Sequence, residues 1–250
     1  MNLAITLTIF QLINILLVLV LLFLGFKVFE NKWSYKISKP HNWDEAVKNK
    51  TVSKKLIKLE RTYHDKVRFY TIWLQIERLK KANIKGAFAE LGVYQGETAK
   101  FIHEMDNTRQ FHLFDTFEGF SETDLTKESS KDEKYNTSNF SDTSLAEVEN
   151  NIGGNEKISF YTGYFPDSAK GISETNYAFV HLDADLYLPT IAALKYFYPK
   201  LSNGGAIIIH DYNHTWDGIK QAVEEFIPTV PESIIEIADW QGSAMIIKNS

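Results

Sequence analysis

Four carboxylates in this 250-residue chain lie at or just beyond the ends of short apolar runs, where side chains can do chemistry. They are Glu90, Asp115, Asp183 and Asp211, and His210 directly precedes the last of them. Such groups bind cations, accept hydrogen bonds from hydroxyls and act as general bases. Because the chain contains no cysteine, a bound metal ion would be held by oxygen or imidazole ligands.

The first motif is a turn with two glycines, Glu90-Leu-Gly-Val-Tyr-Gln-Gly96. Glycine lets a backbone pass close to a ligand and lets a helix pack on a strand. The Gly-x-Gly-x-x-Gly fingerprint of dinucleotide sites is absent from this turn. A tight strand–helix connection would have the same pattern, but the Glu90 carboxylate before Gly92 favours a ligand with an ammonium group, such as methionine.

The second motif, Asp115-Thr-Phe-Glu-Gly119, follows the next apolar run. An acid at this point accepts hydrogen bonds from ribose hydroxyls, at a spacing of about 20 residues from a glycine turn. A helix N-cap is the alternative role for Asp115. Together the two motifs predict a nucleoside site.

Asp183 and Asp211 follow two further apolar runs, in His181-Leu-Asp-Ala-Asp-Leu-Tyr187 and Gly204-Gly-Ala-Ile-Ile-Ile-His-Asp-Tyr212. Adjacent parallel strands would place these carboxylates side by side, where they repel unless a proton or a cation lies between them. Oxygen ligands suit Mg²⁺ or a similar hard ion. Helix capping is the alternative, and it explains Asp185 better than Asp183.

The elements that position these residues alternate between strands and helices. The predicted strands are 86–91, 110–115, 157–161, 177–182 and 205–210, followed by an antiparallel pair at 233–237 and 243–248. The predicted helices are 65–83, 96–105, 144–152, 189–199 and 216–227. This order indicates a doubly wound, mostly parallel α/β sheet of the Rossmann-like kind. Ligands bind such sheets beyond the carboxyl ends of the strands, where every motif above falls.

The connection 121–143 is rich in Ser, Thr, Asp, Glu and Lys. It fits a disordered loop and equally a lid over a substrate, with Tyr135 and Phe140 as contacts.

The first 26 residues carry no charged side chain, and Leu3–Phe26 is mostly apolar. As a helix this run would extend about 36 Å, enough for a bilayer core of about 30 Å. We predict a retained transmembrane anchor at 1–26, with a signal peptide or a buried core helix as alternatives. Lysines follow directly at 27, 32, 36 and 39, so the positive-inside rule places the C-terminal side in the cytoplasm.

Charge separates the rest of the chain into two segments. Residues 27–60 hold nine lysines and four acids, a net charge of +5 that fits a basic juxtamembrane linker. The whole chain carries −5, which leaves −10 for residues 61–250, the predicted catalytic domain. So acidic a domain argues against nucleic acid as a partner.

From about residue 85 to 248 the chain resembles the macrocin O-methyltransferase family, which methylates sugar hydroxyls in macrolide biosynthesis. The motifs Glu90–Gly96, Asp115–Gly119, Leu182–Tyr187 and Gly204–Tyr212 carry the resemblance. It implies a class I methyltransferase fold, S-adenosylmethionine as methyl donor, Mg²⁺, and a small-molecule hydroxyl acceptor.

The resemblance also implies roles for individual residues. Glu90, Gly92 and Gly96 would belong to the donor site and Asp115 to the donor's ribose. Asp183 and Asp211 would hold the metal, with Asp183 as the general base. Family members often have Asp where this chain has His210, which is expected to serve as a further ligand or base.

Two other classes remain open at the level of sequence. One is a non-catalytic membrane adaptor that kept the fold, against which the four intact acids argue. The other is a different Rossmann-like nucleotide enzyme, such as a nicotinamide dehydrogenase, against which the missing fingerprint argues. Whether the chain forms a homo-oligomer is left open.

Overall fold

The computed structural model describes residues 2–128, 135–173, 175–214 and 217–249. The chain divides into two compact units, Met1–Glu45 and Ala46–Ser250.

Most of the first unit is one helix, α1 (Asn2–Ser38). Its segment Thr8–Glu30 is 23 residues long and apolar enough to cross a membrane. This is a statement of length and composition, which a signal sequence or a buried core helix satisfies equally. The helix continues past Phe26, where we predicted a linker to begin. No proline interrupts it before Pro40, and the residue ahead of a proline disfavours helix.

The predicted linker 27–60 contains further helices, α2 (His41–Lys48) and most of α3 (Lys54–Thr62). Ser53 caps α3 by accepting a hydrogen bond from the Leu56 amide at 3.0 Å. The division of the chain into anchor, linker and catalytic domain remains a prediction.

The second unit is built on a seven-stranded sheet with strand order β3-β2-β1-β4-β5-β7-β6. The strands are β1 (Ala87–Leu91), β2 (Phe111–Asp115), β3 (Ile158–Thr162), β4 (Tyr177–Leu182), β5 (Leu201–Ile209), β6 (Ile235–Glu236) and β7 (Ala244–Ile247). Strands β1 to β5 pair in parallel, and β7 runs antiparallel between β5 and β6. The doubly wound order predicted from the sequence is therefore confirmed.

Helices flank the sheet, and all but the short helix at 122–125 correspond to predicted helices. They are α4 (Lys66–Lys81), α5 (Glu97–Met105), α6 (Glu122–Leu125), α7 (Leu145–Ile152), α8 (Tyr187–Lys200) and α9 (Asp217–Phe226), with short 3₁₀ turns at Asp167–Ala169 and Ile227–Thr229. Ser144 caps α7: its hydroxyl oxygen accepts from the Glu147 amide, and its hydroxyl donates to the Glu147 carboxylate at 2.7 Å.

The core occupies both faces of the sheet. Ala89 and Val180 belong to a buried cluster that includes the apolar faces of α8 and α9. Side chains alternate along a strand, so the neighbours Glu90 and His181 point to the opposite face, as Phe88 does. Every residue of β1 and β4 is buried, as expected for central parallel strands covered on both sides.

Candidate active site

A cavity of about 420 Å³ opens at the carboxyl ends of the parallel strands. Its wall includes six of the seven predicted site residues, namely Glu90, Gly92, Asp115, Asp183, His210 and Asp211. The volume falls within the range of about 300–1,000 Å³ usual for ligand pockets. The topology thus brings together side chains that are more than 100 residues apart in the chain.

Gly96 has a different place. It precedes α5 with a left-handed φ of 79° and does not belong to the cavity wall as described. A Cβ atom here would lie 2.9–3.0 Å from side-chain atoms of Ile152 and Val148 on α7. The structure therefore gives Gly96 a packing role, and its assignment to the donor site remains a prediction.

At Gly92 the main chain of the glycine turn lies against the main chain that follows β4. Its φ is 83°, and a Cβ atom would lie 1.9 Å from the carbonyl oxygen of Asp183. The Asp183 amide also donates to the Leu91 carbonyl at 2.8 Å. Only glycine allows this approach, so the turn and the main chain of Asp183 are held against each other.

The Asp115 carboxylate ties two turns together. Its Oδ2 accepts hydrogen bonds from the amides of Val93 at 2.6 Å and Tyr94 at 2.8 Å, and its Oδ1 accepts one from Phe117 at 2.7 Å. An ionised carboxylate accepts about four hydrogen bonds, so Oδ1 retains capacity for a ligand hydroxyl. Asp115 is thus part of the loop architecture as well as a candidate ligand.

Residues with strained backbone conformations lie just beyond the carboxyl ends of the strands. Tyr94, Phe117, Asp185 and Asp211 are non-glycine residues with φ of 48°, 55°, 59° and 61°. One follows each of β1, β2, β4 and β5. Such residues cost free energy and persist where the surrounding structure enforces them, most often at functional sites.

Glu90 and His181 form a buried pair beneath the cavity. Register places them opposite each other on β1 and β4, and His181 Nδ1 lies 2.9 Å from Glu90 Oε1. Burial raises the pKa of Glu90 and lowers the pKa of His181 to about 3. Burial thus disfavours the charged form of each partner.

Asp183, His210 and Asp211 converge so that one ligand atom from each lies within 4.8 Å of the others. His210 Nδ1 bonds Asp183 Oδ1 at 2.7 Å and lies 3.2 Å from Asp211 Oδ1, outside hydrogen-bond geometry. Asp211 Oδ1 is therefore buried without a hydrogen bond. All three residues belong to the cavity wall, and the side chain of Asp183, at 23% exposed, is the most accessible of them, against 3% for His210.

Electrostatics couple these groups. Burial alone would lower the pKa of His210, but the Asp183 carboxylate outweighs it and raises that pKa to about 10. Burial likewise works to raise the pKa of Asp183, but His210 holds it well below its usual range. Burial, with Asp183 and Asp211 nearby, raises the pKa of Asp185. The neighbouring carboxylates therefore favour the charged form of His210.

Arg68 is a site residue that sequence reasoning missed. It lies in the first turn of α4, is 8% exposed and belongs to the cavity wall. Its Nη1 lies 4.0 Å from Asp183 Oδ2, and its Nη2 donates to Gln241 at 3.0 Å. The available signal was an arginine directly before the apolar Phe69-Tyr70 pair, which implies burial and hence a charged partner.

The connection 121–143 covers one side of the cavity as far as it is described, with residues 129–134 outside that description. Phe120 and Phe140 belong to the wall, with ring centroids 5.3 Å apart. Asp124 accepts a hydrogen bond from Tyr164 at 2.7 Å, and Glu128 accepts one from the Tyr187 amide at 2.7 Å. These contacts favour the lid over the disordered loop. Tyr135 is not part of the described wall.

A doubly wound sheet with an acid-lined cavity at the carboxyl ends of its strands is the arrangement of Rossmann-like nucleotide-binding enzymes. The solved structure of the O-methyltransferase NovP has this fold, with a TM-score of 0.63 at 23% sequence identity over 73% of this chain and 80% of that one. The family model for macrocin-O-methyltransferase (TylF) matches residues 24–245. The chain belongs to this family, which confirms the resemblance inferred from its motifs.

Two curated relatives are O-methyltransferases by name. The 8-demethyl-8-(2,3-dimethoxy-alpha-L-rhamnosyl)-tetracenomycin-C 4'-O-methyltransferase of Streptomyces olivaceus is 27% identical over 162 residues, 60% of this chain and 61% of that protein. The mycinamicin III 3''-O-methyltransferase of Micromonospora griseorubida is 28% identical over 182 residues, 67% of this chain and 70% of that protein. The chain thus spans less than two thirds of the first relative.

Proposed function

We propose that this chain is an S-adenosylmethionine-dependent O-methyltransferase whose acceptor is a hydroxyl group of a sugar or a related small molecule. The observation that carries the proposal is the meeting, in one cavity, of the Glu90–Gly92 turn and Asp115 with the cluster of Asp183, His210 and Asp211. The names of the two curated relatives, which specify 4'-O and 3''-O transfer, support the acceptor class.

The residues present fit the donor. S-adenosylmethionine supplies a methyl group that its sulfonium has already activated, together with an ammonium and two ribose hydroxyls. Glu90 Oε2 is buried without a hydrogen bond and would take the ammonium. Asp115 Oδ1 would accept from the ribose, and the acidic wall suits a cationic ligand. Gly92 leaves the main chain of the turn free of a side chain.

The residues also fit a divalent cation. Two carboxylates and an imidazole converge, and the nearest described group to Asp211 Oδ1 within the cluster is His210 Nδ1 at 3.2 Å, whose proton a cation would displace. A bound Mg²⁺ would lower the pKa of an acceptor hydroxyl. Asp183, Asp211 and His210 are the ligands we assign to it.

The protein's own groups then orient the acceptor and remove its proton. The enzyme must hold the acceptor oxygen in line with the methyl group, which the enclosed cavity and the covering Phe120 and Phe140 favour. Asp183 is the general base, because it is the cluster member most exposed to the cavity. His210 fixes Asp183 Oδ1, which leaves Oδ2 for the acceptor hydroxyl. His210 is the second candidate for the base.

We further infer that residues 1–26 are a retained single-pass anchor, that 27–60 are a basic juxtamembrane segment, and that the catalytic residues from 61 onward face the cytoplasm. The apolar segment of α1 and the lysines that follow it support this organisation. The net charge of −10 beyond residue 60 supports a small-molecule partner over nucleic acid.

The proposed function is tested by calorimetry on the full-length chain in detergent micelles. S-adenosylhomocysteine should bind with a dissociation constant in the micromolar range, about −8 kcal/mol, and NAD should not bind. Asp183→Asn is the matched control, which should keep product binding because the donor site rests on Glu90 and Asp115. Tight NAD binding would identify a nicotinamide enzyme, and binding of neither would identify a non-catalytic protein that kept the fold.

A further inference from the structure

One carboxyl oxygen of Glu90 has a hydrogen-bond partner, and the other has none among the described residues. His181 Nδ1 lies 2.9 Å from Glu90 Oε1, and the two side chains are 1% and 0% exposed. Within the described residues Glu90 Oε2 has no hydrogen-bond partner. A buried polar atom without a partner is costly, and because Glu90 borders the cavity, a bound ligand is a partner that could satisfy its Oε2.

The positions of Glu90 and His181 relative to the cavity differ. Glu90 belongs to the cavity wall beside Gly92, whereas His181 is fully buried and is not among the described wall residues. His181 lies two residues before Asp183, on the strand that hydrogen-bonds to β1. The imidazole therefore contacts the carboxyl group from the neighbouring strand, and Glu90 is the member of the pair that borders the cavity.

We propose that His181 is a positioning residue of the donor site, which holds Glu90 Oε1 so that Oε2 is directed at the ammonium group of the donor's amino-acid moiety. This inference rests on the proposed function. The Glu90 carboxyl is attached through rotatable bonds, and fixing one oxygen removes the conformational cost of orienting the other when the ligand arrives.

A merely structural pair would behave differently. If His181 only fills space between the strands, its loss would lower stability and weaken every ligand of the cavity alike. If it positions Glu90, its loss would weaken only ligands that carry the ammonium. S-adenosylhomocysteine and 5'-methylthioadenosine separate the two cases, because they share the thioether and the adenosine and only the first has the amino-acid group.

The experiment compares the two ligands by calorimetry on the full-length chain and two variants. His181→Phe keeps a ring but removes the nitrogen, and His181→Asn keeps an N–H near the Nδ1 position. In His181→Phe we expect S-adenosylhomocysteine to bind at least about tenfold more weakly, as for a lost charge-assisted contact. Binding of 5'-methylthioadenosine should stay within about twofold, and His181→Asn should restore most of the lost affinity.

Equal weakening of both ligands, or no weakening in His181→Phe, would overturn the proposal. If His181→Phe does not fold, ¹⁵N-histidine NMR of the unaltered chain decides. The His181 Nδ1 resonance should move with S-adenosylhomocysteine and stay in place with 5'-methylthioadenosine, and the opposite pattern contradicts the proposal. Failure of the unaltered chain to bind either ligand would instead refute the proposed function.

Discussion

His210 makes the cluster of Asp183, His210 and Asp211 different from a cation site built from carboxylates alone. An imidazole nitrogen stands among two carboxylates, and it bonds Asp183 at 2.7 Å. Imidazole suits transition metals, whereas Mg²⁺ prefers oxygen ligands. A cation must also displace the proton that His210 shares with Asp183, so proton and metal compete for one place.

We therefore predict that His210→Asp binds Mg²⁺ at least about tenfold more tightly than the unaltered chain at neutral pH, because it adds a hard oxygen ligand. Because the carboxylates raise the pKa of His210 to about 10, Mg²⁺ affinity of the unaltered chain should increase from pH 7 toward pH 10. In His210→Asp it should be nearly flat over that range. Calorimetric Mg²⁺ titrations at several pH values measure both effects.

His210→Asn, which has neither the charge nor the basic nitrogen, is the control: it should also lose the pH dependence, but it should bind Mg²⁺ more weakly than His210→Asp, which adds a charged ligand. Stronger Mg²⁺ binding by the unaltered chain than by His210→Asp would contradict the ligand assignment.

Residue types and spacing could identify the acids of this site because each ends a strand, and the ends of parallel strands meet. The partners of those acids could not be identified in the same way. Arg68 lies in a helix before the first strand, and the pairing of Glu90 with His181 depends on strand register. Gly96 shows that spacing does not reveal packing: a Cβ atom there would meet side chains of α7, and its assignment to the donor site remains a prediction.

At the level of elements, the contact between the glycine turn and the end of β4 is the tightest approach in the site. We predict that Gly92→Ala destabilises the chain by at least about 2 kcal/mol more than Gly171→Ala. Both glycines have nearly the same φ, 83° and 85°, so both substitutions pay the same backbone strain. Only at Gly92 would the new Cβ also meet the Asp183 carbonyl, at 1.9 Å.

Urea unfolding of both full-length variants in detergent measures the difference. Because nothing lies within 4 Å of a Cβ at Gly171, that variant isolates the strain alone. Equal losses for the two variants would mean that the turn relaxes away from β4 without cost.

Strand and helix boundaries were predictable wherever apolar periodicity was strong, as in β4 and α4, each placed within about two residues. Helices α2 and α3 were not predicted, because frequent lysines and Pro40 hide their short apolar faces. Ser53, which caps α3, was the overlooked signal.

On the scale of the whole molecule, charge and hydropathy divide the chain more clearly than secondary structure does. We predict that protease added outside sealed right-side-out vesicles leaves residues 61–250 intact and digests them after detergent lysis. The reason is the uncharged run of α1 followed by four lysines, which favour the cytoplasmic side.

A chain in which all four lysines are replaced by glutamine is the matched control and should lose its uniform orientation. Digestion of the unaltered chain from outside, or a mature N-terminus beyond residue 26, would refute the retained anchor.

The cavity wall consists of residues at the strand ends and residues near or in the connection 121–143, and these two parts differ in how freely they can be substituted during evolution. Glu90, Gly92, Asp115 and Asp183 are fastened to one another through main-chain amides and strand register, so a substitution at one disturbs the rest. The described part of the connection 121–143 contacts the rest of the domain through side chains such as those of Asp124, Glu128 and Thr143. The sequence of this connection could therefore change to fit a different acceptor while the residues at the strand ends stayed the same.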